Sequence, residues 1–225
     1  MNGSALAQIL KRDARLFGQI VTWHLFPLRS AHKAKLEEHF GESLPLVRRL
    51  GERSRRYEKA FCRLVLRREG LEDDPLEDFR RPEAQFLLPD GAFLERLFFL
   101  VGLATYGKAT AREIRGERVR KLLSTLGQAN YRFALKEASF FPPWVALHDK
   151  LPEELDVFPQ RCIEEGMAMF KSALGSVERG SSLRLRLKLS PSVGALWEGV
   201  EPSALRKDRA FILVRRVIKR EGGER

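Results

Sequence analysis

The sequence contains little of three things that mark many catalytic, metal-binding or exported proteins: cysteine, histidine and long apolar segments. Only two cysteines and four histidines occur in 225 residues. Cys62 and Cys162 stand alone, without CxxC spacing, which indicates a reduced, cytoplasmic protein rather than a disulfide framework. The histidines do not recur at the i, i+4 or HExxH spacing of metal ligands. We therefore expect no metal site.

No segment has the length and composition of a membrane span. The most apolar stretch, residues 97–106, is far shorter than the roughly 20 residues that cross a bilayer. Near the N-terminus, Lys11 and Arg12 interrupt the apolar run before a signal-peptide core could form. We expect a protein that is not inserted into the membrane and stays in the cytoplasm.

Acidic residues are outnumbered by basic ones. The chain has 41 Lys and Arg against 30 Asp and Glu, a formal net charge of +11. Such an excess favours acidic partners, which include nucleic acid, anionic lipid and acidic protein surfaces. The sequence has no helix-turn-helix pattern with a confined basic helix, no zinc finger and no RNA-recognition aromatic signature. A basic helical nucleic-acid-binding protein stays the alternative function.

One segment has the glycine and lysine spacing of a phosphate-binding loop: Gly102, Gly107 and Lys108. The next residue is Ala109, so the hydroxyl that would hold magnesium is missing, and the preceding segment is helical where the motif requires a strand. We expect Gly102 to allow close helix packing and Gly107 to end a helix. With no other catalytic or cofactor-binding motif, the sequence predicts a protein that is not an enzyme and binds no cofactor.

Apolar residues recur at helical spacing along most of the chain, which predicts an all-α fold. Amphipathic helices are predicted over residues 6–21 and 45–69, and residues 91–106 form a helix that is apolar nearly all round. Thr110 and Glu113 have the spacing of a capping box and are expected to start the next helix.

A minor β element is predicted near residues 183–189. Leucines alternate there with three cations, Arg184, Arg186 and Lys188. A period of two is typical of a strand with one buried face, which would leave the cations facing outward. The last helix, from about residue 203, is expected to leave a second set of cations in water, namely Arg209, Arg216 and Arg220.

The chain is expected to have three parts in one compact unit. An N-terminal helical part covers residues 1–69, and a main helical body covers residues 90–225. Residues 70–89 cluster acidic residues between prolines, which favours an acidic connecting loop.

A longer pattern extends through the middle and C-terminal parts. Its elements are, in order, Leu103-Ala-Thr-Tyr106-Gly107, an arginine-bearing helix through Arg112 and Ile114 to Leu122-Leu123, Leu126-Gly127, Tyr131-Arg-Phe-Ala-Leu135, Phe140-Phe141-Pro-Pro-Trp144, the Cys162 to Phe170 helix and Leu183-Arg-Leu-Arg-Leu-Lys-Leu189. Over roughly residues 90–220, this order resembles the SctK family of type III secretion systems, also called YscK- or PscK-like.

The resemblance implies a non-enzymatic structural adaptor of the cytoplasmic sorting platform, required for assembly and protein secretion. Family members link the cytoplasmic domain of the inner-membrane ring protein (SctD-like) to the pod protein (SctQ-like). The pod protein connects in turn to the stator and the export ATPase (SctL-like and SctN-like). An assembled member lies at the cytosolic face of the inner membrane.

Seven residues are candidates for contacting partners. The six cations Arg184, Arg186, Lys188, Arg209, Arg216 and Arg220 are expected to form a basic surface that meets an acidic partner face, the alternative being a solvated surface. Trp144 is either a core residue or an aromatic interface anchor.

Overall fold

The computed structural model of the protein describes residues 3–73, 77–175 and 178–222, with side chains from residue 7 onward. Within these residues the protein is built from helices and contains no strand, so the predicted all-α class is confirmed. The α-helices are α1 Gly3–Arg12, α2 Ala14–Leu25, α3 Lys33–Phe40, α4 Leu44–Arg53, α5 Arg55–Arg68, α6 Gly91–Thr105, α7 Gly107–Arg112, α8 Gly116–Leu126, α9 Gln128–Lys136, α10 Phe158–Leu174, α11 Arg179–Lys188, α12 Pro191–Gly199 and α13 Lys207–Gly222. Short 3₁₀ helices are formed by Pro27–Arg29, Gly41–Ser43, Ala84–Leu87, Ala138–Phe140 and Pro143–Val145.

The chain divides into two compact units. Unit 1 is formed by Met1–Leu94 and Ser176–Ala195, and unit 2 by Glu95–Gly175 and Leu196–Arg225. These units do not coincide with the parts expected from the sequence, residues 1–69, 70–89 and 90–225. Whether those parts fold independently stays a prediction.

Two of the predicted helices are each divided by a capping side chain. Asp13 leaves the helical conformation (φ −150°, ψ 90°), and its carboxylate accepts a hydrogen bond from the Leu16 amide at 2.8 Å. Ser54 does the same between α4 and α5, accepting from the Arg56 amide at 3.3 Å. Short polar side chains are favoured there because they reach the unpaired amides of the following turn. Apolar spacing continues across both breaks, so periodicity alone predicts one helix in each place.

The predicted capping box of Thr110 and Glu113 is wrong. Thr110 lies inside α7 and is buried, and Glu113 is the residue that follows this helix. The Glu113 carboxylate instead accepts hydrogen bonds from the Arg115 amide at 3.1 Å and from the guanidinium groups of Arg115 and Arg118. The hydrogen bond from the Arg115 side chain, supported by Arg118, lowers the pKa of Glu113 to about 2.

The predicted β element at residues 183–189 is also wrong, because this segment is the end of α11. Leu185, Leu187 and Leu189 are buried, but so are Arg184 and Lys188. Alternation identifies a strand only when one of the two alternating sets faces water. Here both sets are covered by protein, so leucines and cations alternate along a helix that is buried on most sides.

In unit 2, α6 and α10 cross with their backbones in direct contact. A Cβ on Gly102 would lie 1.7 Å from the carbonyl oxygen of Cys162, and a Cβ on Gly166 would lie 1.7 Å from the carbonyl oxygen of Phe98. Phe98 and Gly102 are about one turn apart on α6, as Cys162 and Gly166 are on α10. Each helix therefore has a glycine where the backbone of the other passes, which confirms the expected packing role of Gly102.

The second glycine of the phosphate-loop spacing has a different place. Gly107 begins α7 rather than ending a helix, and a Cβ there would lie 2.7 Å from the carbonyl carbon of Ala138. Close backbone approaches thus account for both glycines.

Aromatic rings fill the interior beside this crossing. Phe98 lies 5.1 Å from Phe170 and 6.0 Å from Trp197, measured between ring centres. The ammonium of Lys171 caps the group, donating to the Trp197 carbonyl and lying 4.7 Å from the Trp197 ring centre. Contacts between aromatic rings stabilise the folded state beyond the contribution of the apolar area that they bury.

Replacing Gly102 by alanine is expected to destabilise the protein by about 2 kcal/mol or more, because the added methyl would collide with backbone that cannot rotate away. Gly116→Ala is the matched control, since nothing lies within 4 Å of a Cβ at that position. Urea unfolding of both variants measures the difference. Equal unfolding free energies for Gly102→Ala and Gly116→Ala would contradict the close crossing of α6 and α10.

Candidate protein-binding surfaces

Two of the candidate partner-binding residues are buried inside unit 1. Arg184 is 5% exposed and Lys188 is 4% exposed. They are four residues apart on α11 and therefore lie on the same side of the helix. Their expected outward position is wrong, and Arg186 between them is half-buried.

The ammonium of Lys188 is held by backbone carbonyls at the end of a 3₁₀ helix. It donates to the carbonyl oxygens of residues 87–89, at distances of 2.8 to 3.0 Å, and lies 4.4 Å from the centre of the Trp23 ring. Three acceptors match the three N–H groups of an ammonium. Burial nevertheless lowers the pKa of Lys188 to about 7, with the charge of Asp90 acting in the opposite direction.

Other polar contacts fasten α11 to the predicted connecting loop. The hydroxyl of Ser181 donates to the buried carboxylate of Glu77 at 2.5 Å, and the guanidinium of Arg184 donates to the Leu71 carbonyl at 3.3 Å. A Cβ on Gly91 would lie 1.9 Å from the carbonyl oxygen of Lys188. Leu71, Glu77, residues 87–89 and Gly91 are therefore packed against α11, and several of their backbone carbonyls bind the cations of that helix.

His24 lies among the same groups and carries no charge at neutral pH. It is buried, and its ring centre lies 5.7 Å from that of Phe79. Burial, followed by the nearby charge of Arg184, lowers the pKa of His24 to about 3.

Four other candidate residues come together in unit 2. Three arginines of α13 lie over three aromatic rings: Arg209 over Trp144 at 5.8 Å, Arg216 over Phe141 at 4.3 Å and Arg220 over Phe133 at 4.6 Å, from guanidinium carbon to ring centre. Positions 209, 216 and 220 share one side of a helix. We call these six residues the arginine–aromatic face.

One arginine of this face also has an ionic partner. Arg220 donates to the carboxylate of Glu137 at 2.9 and 3.2 Å, and this hydrogen bond raises the pKa of Arg220. Arg209 and Arg216 are exposed. A cation over a ring at an exposed site contributes only about 0.5 to 1 kcal/mol, so the face adds little to folding.

Apolar side chains accompany the arginines at the surface. Ile212, one turn after Arg209 on α13, is 53% exposed, and Phe140, next to the buried Phe141, is 78% exposed. Aromatic residues and arginine are the types enriched at the centres of protein interfaces. The arginine–aromatic face therefore has the composition of a protein-binding surface.

The family model described as YOP proteins translocation protein K (YscK) matches residues 21–221. The chain belongs to the YscK family. This confirms the resemblance drawn from the sequence and makes the chain a type III secretion protein, from a family of structural components of the secretion system. Neither a curated protein nor a solved structure matches the chain.

Neither cysteine of this YscK-family protein is chemically activated. Burial raises the pKa of Cys62 to about 11 and raises the pKa of Cys162 as well, so both thiols are protonated at neutral pH. Across residues 3–73, 77–175 and 178–222, no three His, Cys, Asp or Glu residues are grouped so that they could hold a metal ion. In the same ranges, no helix is long and apolar enough to span a bilayer.

Sequence reasoning missed a further surface, a cleft of about 790 Å³ in unit 1 that is lined mainly by α2 and α5. We call it the α2–α5 cleft. Its lining includes the cations Arg55, Lys59 and Arg63, which are spaced four residues apart along α5. That spacing was a signal in the sequence, but it indicates a cleft only once α2 is placed opposite.

Lys188→Met is expected to cost about 2 to 4 kcal/mol of stability, because the carbonyls of residues 87–89 would be left buried without a donor. Lys150→Met, at an exposed position, is the control. Chemical denaturation of both variants measures the difference, and equal losses would contradict the buried position of the ammonium.

A pH dependence follows from the same lysine. The pKa of Lys188 is about 7 in the folded protein, against 10.5 for an ordinary lysine. Between these values the unfolded chain binds more protons, so the free energy of unfolding should rise with pH, by up to about 1.4 kcal/mol per unit. Lys188→Met should remove this rise, which urea unfolding at several pH values from about 7 to about 10 would measure. The same slope in the variant and in the unaltered protein would contradict it.

Proposed function

We propose that this protein is a non-enzymatic adaptor of the type III secretion sorting platform. It links the cytoplasmic domain of the inner-membrane ring protein (SctD-like) to the pod protein (SctQ-like), and through the latter to the stator and export ATPase (SctL-like and SctN-like). The observation that carries the proposal is the family match, which runs from residue 21 to residue 221 and so includes most of both units. The protein acts at the cytosolic face of the inner membrane.

The arginine–aromatic face is the surface that we assign to one of these partners. Its guanidinium groups are spread over rings, which limits their motion and lowers the entropy lost on binding. Exposed arginines of one sign would speed the encounter with an acidic face and fix its orientation. Trp144, half-buried beneath Arg209, provides an aromatic anchor.

The net charge of +11 keeps nucleic-acid binding as the second candidate function. Binding of that kind neutralises phosphates, so the affinity would fall steeply as the salt concentration rises. The arginine–aromatic face favours a protein partner because aromatic residues and arginine are the types enriched at the centres of protein interfaces.

Reversing the charge of Arg209, Arg216 and Arg220 to glutamate should weaken the complex with the ring protein or the pod protein at least about ten-fold, since the face would then repel an acidic partner. Co-purification of the tagged protein with each partner, followed by titration, measures the effect. The matched control reverses Arg48, Arg49 and Arg53 on α4. Unchanged binding to both partners would remove the face from the interface.

The Trp144→Ala variant distinguishes the two roles open to Trp144, an interface anchor or a core residue. As an anchor, it should weaken the same complex by about ten-fold or more while the midpoint of thermal unfolding changes little. Loss of the folded state would assign Trp144 to the core instead.

A further inference from the structure

We propose that the α2–α5 cleft of unit 1 binds an acidic amphipathic helix of a partner protein. This would be a second binding surface, formed by different residues from the arginine–aromatic face and independent of the partner assigned to that face. The proposal rests on two rows of side chains that line the cleft together with Trp23 and Lys188.

The first row is cationic. Arg55, Lys59 and Arg63 occupy every fourth position of α5, so they follow one side of the helix over about 12 Å. All three are exposed. The carboxylate nearest to them on α5, Glu58, binds Arg29 instead, at 2.5 Å. We call these three residues the cationic row.

The second row is apolar and belongs to α2. Phe17, Val21 and Leu25 also occupy every fourth position and line the same cleft. Leu25 is 54% exposed, so a large apolar side chain of this row is open to an occupant of the cleft. We call these three residues the apolar row.

The two rows together define the chemistry of the occupant. An amphipathic helix presents apolar residues on one side and charged residues on another, each at spacings of three and four residues. Such a helix would contact the apolar row and the cationic row together, since each row extends over about two helical turns. Its leucines would cover the apolar row, and its glutamates would meet the cationic row. Docking of an amphipathic helix in a groove is a common mode of recognition.

Two comparisons favour this occupant over others. A nucleic-acid backbone would satisfy the cationic row but would leave the apolar row uncovered. A second cleft of unit 1, of about 580 Å³, is lined by Glu52 and Glu58 as well as by arginines. That cleft is therefore lined by charges of both signs. In the α2–α5 cleft, every charged side chain that the described residues contribute to the lining is a cation.

The test uses the full chain and a fluorescent peptide of about 16 residues, long enough for four helical turns. The peptide carries leucine along one face and glutamate along the adjacent face, both at a spacing of three and four residues. Its counterpart has lysine in place of every glutamate. Anisotropy titration should give an affinity at least about ten-fold higher for the glutamate peptide, falling as salt rises.

Variants then locate the site. Replacing all three members of the cationic row by glutamate should weaken peptide binding at least about ten-fold. The matched control makes the same change in net charge on unit 2, with Arg120, Arg132 and Lys136 replaced by glutamate, and should leave the affinity within about two-fold. Far-UV circular dichroism confirms that both triple variants fold.

The apolar row has its own test. Leu25→Ala should weaken peptide binding about three-fold or more, because leucine contacts in the cleft are lost. Leu10→Ala, at a comparably exposed leucine outside the cleft lining, is the control.

Three outcomes would overturn the proposal. The first is equal affinity for the glutamate and lysine peptides. The second is an equal loss of affinity in the cationic-row variant and in the unit 2 control. The third is tighter binding of duplex DNA, or of phosphatidylglycerol vesicles, that depends on the cationic row but not on Leu25, which would assign the cleft to nucleic acid or lipid.

Discussion

The burial of two cations on α11 is the constraint on which the rest of unit 1 depends. An ammonium or guanidinium removed from water costs several kcal/mol unless other groups replace its hydration. Lys188 receives three backbone carbonyls, and Arg184 receives the carbonyl of Leu71. Since these acceptors belong to Leu71 and to residues 87–89, both of these parts of the chain must lie beside the helix.

The same constraint shapes the α2–α5 cleft. Trp23 covers the ammonium of Lys188, and both residues, together with Leu88, line the α2–α5 cleft. These lining residues can therefore move only if the buried hydrogen bonds of Lys188 break. A binding surface of this kind is largely preformed, which reduces the ordering entropy that association costs. That property suits the adaptor function that we propose, which requires fixed geometry rather than chemistry.

The helical class and the exposure of the C-terminal arginines could be predicted because each depends on spacing within one segment, and the family could be recognised from the order of such segments along the chain. What the sequence could not show depends on two segments at once. Arg184 and Lys188 look like a solvated strand face until the carbonyls that bind them are placed, and the breaks at Asp13 and Ser54 are hidden because apolar spacing continues through them. Gly102 could be recognised as a packing residue, whereas its partner at the crossing, Gly166, could not. The α2–α5 cleft was missed for the same reason, since neither of its rows is a site by itself.

Hydrogen–deuterium exchange of residues 84–91 and 179–188 tests most directly whether residues 84–91 and α11 form one buried unit. If they do, the hydrogen-bonded amides of both segments should exchange slowly and should become exposed together, at a free energy close to that of global unfolding. Fast exchange of residues 84–91 while α11 stays protected would show that this segment is an open connecting loop. It would contradict the assignment of its carbonyls to the buried lysine.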